Sequence, residues 1–200
     1  MKFLLFSDVH GDFKALNNLK KASKNADLII AAGDISVMEK DIYEILEFMN
    51  SFKKPILLIH GNHENEFRLM ELTQMFENLI FLHRAAHHYK EYVFLGYGGD
   101  GFSTYDPDFV KITGFFKKEL KNNKNQNKKI IFITHQPAFK TGIDILGNEP
   151  RGNKDYRKFI DEVKPHLVVS GHLHENMGKS HKIERTLFIN PGKKGAFVEI

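Results

Sequence analysis

The stretch Ile56-Leu57-Leu58-Ile59-His60-Gly61-Asn62-His63-Glu64 passes from an apolar run into a polar turn and on toward a helix. Four consecutive aliphatic side chains bounded by turn residues read as a buried strand. Gly61 permits the sharp bend that follows. Asn62 and His63 therefore sit at a strand's C-terminal end, the edge where open α/β sheets gather their ligands. The same arrangement recurs four times. Asp8-Val9-His10 comes after Lys2 to Phe6, and Gly33-Asp34 after Leu28-Ile29-Ile30-Ala31-Ala32. His135 comes after Ile130 to Thr134, and Gly171-His172-Leu173-His174 after Leu167 to Ser170.

Taken singly, each cluster has an ordinary explanation. An Asp ahead of a helix is commonly an N-cap, although Asp12 is the better cap for the helix after Asp8. Asp34 suits a turn, and Asn62 suits the cap of the helix it precedes. Taken together they supply carboxylate, amide and imidazole donors at five strand ends, as a two-metal hydrolytic site requires. Asp8 and His10 can face the same way across an extended chain, and His172 and His174 repeat that spacing. Pro137 stiffens the loop after His135. The remaining histidines, His60, His83, His87, His88, His166 and His181, read as packing or hydrogen-bonding residues.

Between these clusters, strand and helix signals alternate. Strands are expected at Lys2–Phe6, Asp27–Ala32, Pro55–His60, Leu79–Leu82, His88–Gly96, Lys129–Thr134, His166–Ser170, Thr186–Asn190 and Gly195–Ile200. The His88–Gly96 strand could be hairpinned with the residues before it. Helical spacing follows Phe13, Leu16, Leu19 and Lys20 and covers Ile42–Phe52, Glu64–Phe76, Asp108–Lys121 and Asp155–Val163. No repeat or linker interrupts the pattern, so residues 1–200 read as one domain. The expected architecture is a two-layer β-sandwich flanked by helices, with parallel strands first and antiparallel ones later.

Composition narrows the setting. The 200 residues, 42% hydrophobic with 18 Phe, are enough for a substantial core. The absence of cysteine excludes disulfides and thiolate ligands, leaving nitrogen and oxygen donors. No run of 18 apolar residues spans a membrane, and Met1 to Phe6 is too short for a signal peptide. A cytoplasmic protein is expected. The net charge of +4 is concentrated in Lys117 to Lys129, a stretch without interleaved aromatics that reads as a solvated helix end. A nucleic-acid partner is therefore disfavoured.

The ordered set Asp8-x-His10, Gly33-Asp34, Gly61-Asn62-His63-Glu64, His135 and Gly171-His172-x-His174 resembles the calcineurin-like metallophosphoesterases. Ile189-Asn190-Pro191-Gly192 is similar to that family's last strand-end turn. The size resembles the compact single-domain prokaryotic members. The resemblance implies a four-layer α-β-β-α sandwich holding two divalent transition-metal ions, manganese first among manganese, iron, zinc and nickel. It implies that Asp8, His10 and His174 hold one ion and Asn62, His135 and His172 the other, with Asp34 and a water between them. His63 would serve the leaving oxygen as proton donor. One departure stands out. Where many family members carry GDxxDR, this chain reads Gly33-Asp34-Ile35-Ser36-Val37-Met38, so Val37 replaces the Asp that orients the catalytic His. Glu64 or a backbone carbonyl remains to orient His63.

Substrate choice is expected from two loops. Gly96 to Ser103 with Tyr105 offers Tyr97, Phe102 or Tyr105 for stacking on an aromatic or sugar-bearing substrate, and Lys140 to Arg151 forms a second rim. Two hundred residues leave no room for a large cap, and an open site suits diesters. The expected activity is hydrolysis of a phosphoester, nucleotides included, with phosphodiesters favoured. A nuclease and a non-catalytic scaffold of the same fold are the alternatives.

Overall fold

A computed structural model describes residues 1–99, 101–122 and 127–200. Asp100 of the glycine-rich loop and residues 123–126 of the basic run lie outside the described residues. The first half contains β1 (Lys2–Phe6), α1 (Phe13–Ser23), β2 (Leu28–Ala32), α2 (Ile42–Asn50), β3 (Ile56–Ile59), α3 (Glu66–Thr73) and β4 (Leu79–Phe81). After these come β5 (Ala85–Tyr89), β6 (Tyr92–Tyr97), α4 (Pro107–Lys121) and β7 (Lys129–Thr134). The short β8 (Ile145–Leu146) and β9 (Glu149–Pro150) precede α5 (Lys154–Val163) and β10 (Leu167–Val169). The last strands are β11 (Ser180–Ile183), β12 (Thr186–Ile189) and β13 (Ala196–Glu199).

Two sheets carry the fold. One has the order β13-β1-β2-β3-β4 and the other β11-β12-β10-β7-β6-β5. Strand alternation distributes the side chains between three cores. Phe3, Leu5, Ile30, Leu57 and Ile59 from the first sheet pack against Tyr92, Phe94, Ile131, Ile133 and Val169 from the second. Their neighbours Leu4, Phe6, Ile29 and Leu58 turn the other way, onto Leu16 and Leu19 of α1, Ile45 and Leu46 of α2 and Leu69 of α3. Val93, Leu95, Phe132 and Val168 face Phe109 and Phe116 of α4 and Tyr156 and Phe159 of α5. The expected α-β-β-α layering is present. Because both faces of each sheet are covered, the central strands are continuously apolar, and each buried Leu or Phe contributes about 1.5–3 kcal/mol.

Strand direction differs from expectation. Parallel pairing is not confined to the first half: β6, β7, β10 and β12 are parallel neighbours too. Antiparallel pairing occurs at the outer strands β13, β5 and β11. The hairpin raised for His88–Gly96 and the residues before it is present as β5–β6, but it turns at Lys90, inside the expected strand, where φ is 52°. Two helices are shorter than their patterns. The α2 helix stops at Asn50, and α3 starts at Glu66 because Asn65 caps it, accepting from the N–H groups of Phe67 and Arg68.

Candidate metal centre

The polar clusters follow β1, β2, β3, β7 and β10, so both sheets point their C-terminal strand ends at one place. Backbone hydrogen bonds tie these loops to one another. The N–H of Asp8 donates to Gly33 O at 3.0 Å, that of His10 to Asp34 O at 3.0 Å, and that of Gly171 to His135 O at 2.9 Å. Asp8, His10, Asp34 and His172 all adopt left-handed backbone, with φ of 53°, 45°, 52° and 66°. That conformation is disfavoured for residues bearing a Cβ, and here it turns each side chain out of its strand direction. Close approach is extreme at Gly61, where a Cβ would lie 2.0 Å from Asp34 Oδ1.

Two sets of donor atoms converge. His10 Nε2 lies 3.2 Å from His174 Nε2, which is 3.7 Å from Asp8 Oδ1. His135 Nε2 lies 3.2 Å from Asn62 Oδ1, and the His135 and His172 rings are 5.2 Å apart. Asp34 Oδ2 stands between the sets, 3.3 Å from His135 Nε2 and 3.8 Å from His10 Nε2. Two donors each about 2 Å from one tetrahedral ion would be separated by roughly 3 Å. His10 and His135 are pre-aimed, because their Nδ1–H groups donate to Ser36 O at 3.2 Å and Ala32 O at 2.8 Å. This leaves Nε2 as the lone-pair nitrogen in the neutral ring.

Among the described residues, Asp8 Oδ2 and His172 Nε2 are buried without a hydrogen-bond partner. A buried polar atom left bare costs about 1–3 kcal/mol, and a cation would satisfy both. The donor chemistry fits divalent metals. In their absence, burial opposes ionisation of Asp34, but the His135 ring outweighs it and holds the carboxyl at about 2. Burial likewise disfavours the His135 cation, and Asp34 reverses this and raises it. Burial, then the neighbouring His135 charge, lowers His172 to about 4.

His63 stands beside both sets. Its ring centroid is 4.8 Å from that of His10, and its Nε2 is 4.0 Å from Asp34 Oδ2. Its orientation differs from both expected arrangements, since among the described residues neither Glu64 nor a carbonyl holds its ring. Met38 N–H donates to its Nδ1 at 3.3 Å, so the neutral ring carries its proton on Nε2, facing the site. Glu64 turns inward instead. It accepts from the N–H groups of Asp34, Ser36 and Gly61 and from the Ser36 hydroxyl, at 2.8–3.0 Å. Burial, with Asp34 nearby, raises its pKa. Asn62 is not a helix cap, because α3 begins four residues later. The sequence signal for Glu64 was a carboxylate beside apolar runs, read only as a partner for His63.

Other expected positions separate. Tyr97 is buried, whereas Phe102 and Tyr105 are exposed. Phe102 meets the His172 ring edge-on at 4.3 Å. His60, Glu66 and His83 form a further group of ligand-type residues. His83 Nδ1 accepts from Gly98 N–H at 2.9 Å, which places its proton on Nε2, 3.0 Å from Glu66 Oε2 but off hydrogen-bond alignment. That hydrogen bond accounts for Nδ1, whereas among the described residues Nε2 stays buried without a hydrogen-bond partner.

No curated protein matches the chain. Solved structures do, and their likeness concerns the fold. TT1561 of Thermus thermophilus is 17% identical with a TM-score of 0.77, covering 96% of this chain and 90% of that one. A dimetal phosphatase from Danio rerio is 10% identical with a TM-score of 0.66, covering 95% and 86%. An archaeal phosphodiesterase is 14% identical with a TM-score of 0.52, covering 96% and 84%. The family model of calcineurin-like phosphoesterases matches residues 1–176. That match spans every strand-end cluster of the site and shows that the chain belongs to the calcineurin-like phosphoesterases, enzymes that hydrolyse phosphate esters at a dinuclear divalent-metal centre.

Proposed function

We propose that the protein is a phosphodiesterase, acting as one domain over residues 1–200. Asp8, His10 and His174 hold one ion and Asn62, His135 and His172 the other, with Asp34 shared. The observation that carries this reading is the position of Asp34 Oδ2, within 4 Å of an imidazole from each set. Manganese, first among the metals the resemblance implies, suits the Asp8, Asp34 and Asn62 oxygens, while the four imidazoles equally suit iron, zinc or nickel. When bound, the two ions neutralise phosphate oxygens and make water at the site more acidic. His63 presents its Nε2 proton to the leaving oxygen, and Glu64 fixes the turns that carry Asp34 and Asn62. Diesters are favoured by openness: the His174 side chain is 54% exposed, leaving space for a second ester group. The absence of cysteine supports a cytoplasmic setting.

The test combines metal analysis with turnover of bis-p-nitrophenyl phosphate and p-nitrophenyl phosphate. Manganese-loaded protein is expected to bind two ions and hydrolyse the diester faster. The reverse order would overturn the diester preference, and two bound ions with neither substrate turned over would overturn the activity.

A further inference from the structure

Beside His172 lies a groove of about 410 Å³ lined by Phe102, Thr104, Phe139, Arg151 and Lys154 among others. That volume falls within the roughly 300–1,000 Å³ of small-molecule sites. Phe102 is the wall shared with the metal centre, since its ring contacts His172 and is otherwise 71% exposed. Lys154 Nζ lies 5.3 Å from the Tyr105 and Phe139 ring centroids, and Lys140 Nζ lies 5.3 Å from Phe139 on the same rim. Among the described residues no carboxylate pairs with Lys140, Arg151 or Lys154.

The charge is left open by construction. Asp144, the buried carboxylate of this rim, accepts four backbone N–H groups, from Lys140, Thr141, Gly142 and Gly152, at 2.7–3.2 Å. It shapes the rim and neutralises none of the three cations through contact. The opposite wall is also fixed. Ser103 O accepts from Gln136 Nε2 at 2.9 Å and Asn153 Nδ2 at 3.1 Å, which links Phe102 to the loop after His135. A fixed aromatic wall with unpaired cations suits a ligand with a flat ring and a phosphate.

We infer that this groove seats the nucleoside and outer phosphate of a nucleotide-type substrate whose scissile diester lies at the metal ligands. The inference rests on the phosphodiesterase reading. In that reaction water adds to the scissile phosphorus, one P–O ester bond breaks, and the leaving oxygen departs with a proton. The base packs against Phe102, the exposed ring that also meets His172, and Arg151 and Lys154 hold the outer phosphate.

Calorimetry of the manganese-loaded protein with ADP and with inorganic pyrophosphate separates the two contacts. ADP is expected to bind at least tenfold more tightly than pyrophosphate, and Phe102→Ala to abolish that preference. The double variant Arg151→Glu, Lys154→Glu is expected to weaken ADP at least tenfold. Equal affinity for the two ligands in the unsubstituted protein would overturn the nucleoside assignment. Unchanged ADP affinity in the double variant, or in Arg151→Gln should the double variant fail to fold, would overturn the groove. Turnover of bis-p-nitrophenyl phosphate is recorded on the same samples. Its absence would count against the activity, while the titrations would still decide whether the groove binds nucleotide.

Discussion

Asp34 illustrates how much rests on single side chains. Asp34→Asn removes the negative charge common to both donor sets, so metal content is expected to fall from two ions per chain to below one. His135→Ala should deplete mainly one ion; elemental analysis checks both, and two retained ions in Asp34→Asn would refute the shared role. Protons report on the same residues. His135 is raised by its neighbour Asp34, so it carries a proton near neutral pH that an incoming ion must displace. Metal uptake at pH 7 should release about one proton per chain from this ring, measurable as a buffer-dependent heat, and affinity should rise with pH. His63→Ala should retain its metal and lose about 10²–10⁴-fold in turnover, less for p-nitrophenolate than for an alkoxide leaving group. Equal losses would demote His63 to positioning phosphate. The convergence of these donor side chains was legible in the sequence because each follows a strand end. The partner of His63 was not, because a backbone N–H such as that of Met38 belongs to every residue and leaves no letter to read.

At the scale of elements, the β3–α3 turn works as a single piece around Glu64. Its carboxylate receives donors from the turns after β2 and β3 at once. Glu64→Gln puts an NH₂ group where an N–H already points, which should destabilise the metal-free protein by about 1–3 kcal/mol. Urea unfolding measures this, and a change within ~0.5 kcal/mol, ordinary for a surface substitution, would show that the hub is dispensable. The central strands were readable because burial on both faces leaves unbroken aliphatic runs. β11 was not, since Ser180-His181-Lys182-Ile183 lies mostly exposed at a sheet edge and carries no such run. β8 and β9 have two residues each, too few to show a period. Strand direction was misjudged in the second half for a related reason. A buried strand shows the same apolar run whether its neighbour runs with it or against it.

Across the whole molecule, the donor atoms are divided between the sheets. Asp8, His10, Asp34 and Asn62 follow strands of one, and His135, His172 and His174 follow strands of the other. Bound ions would therefore stitch the two layers together. Adding metal at a hundred times its dissociation constant should raise stability by about 2.7 kcal/mol per site. A chelator should reverse the gain, which thermal unfolding with and without EDTA reads. An unshifted transition would mean that the folded chain does not bind the ions in preference to the unfolded one. The left-handed backbone at Asp8, His10, Asp34 and His172 sets a limit on engineering. Such positions cost of order 1 kcal/mol or more each, and glycine there would relax the metal-free chain. A library of this protein sorted for heat resistance alone, without metal, should drift toward glycine at these four codons and lose the donors of the site. Selection for robustness therefore has to be coupled to metal retention, or it will improve the scaffold by deleting its chemistry.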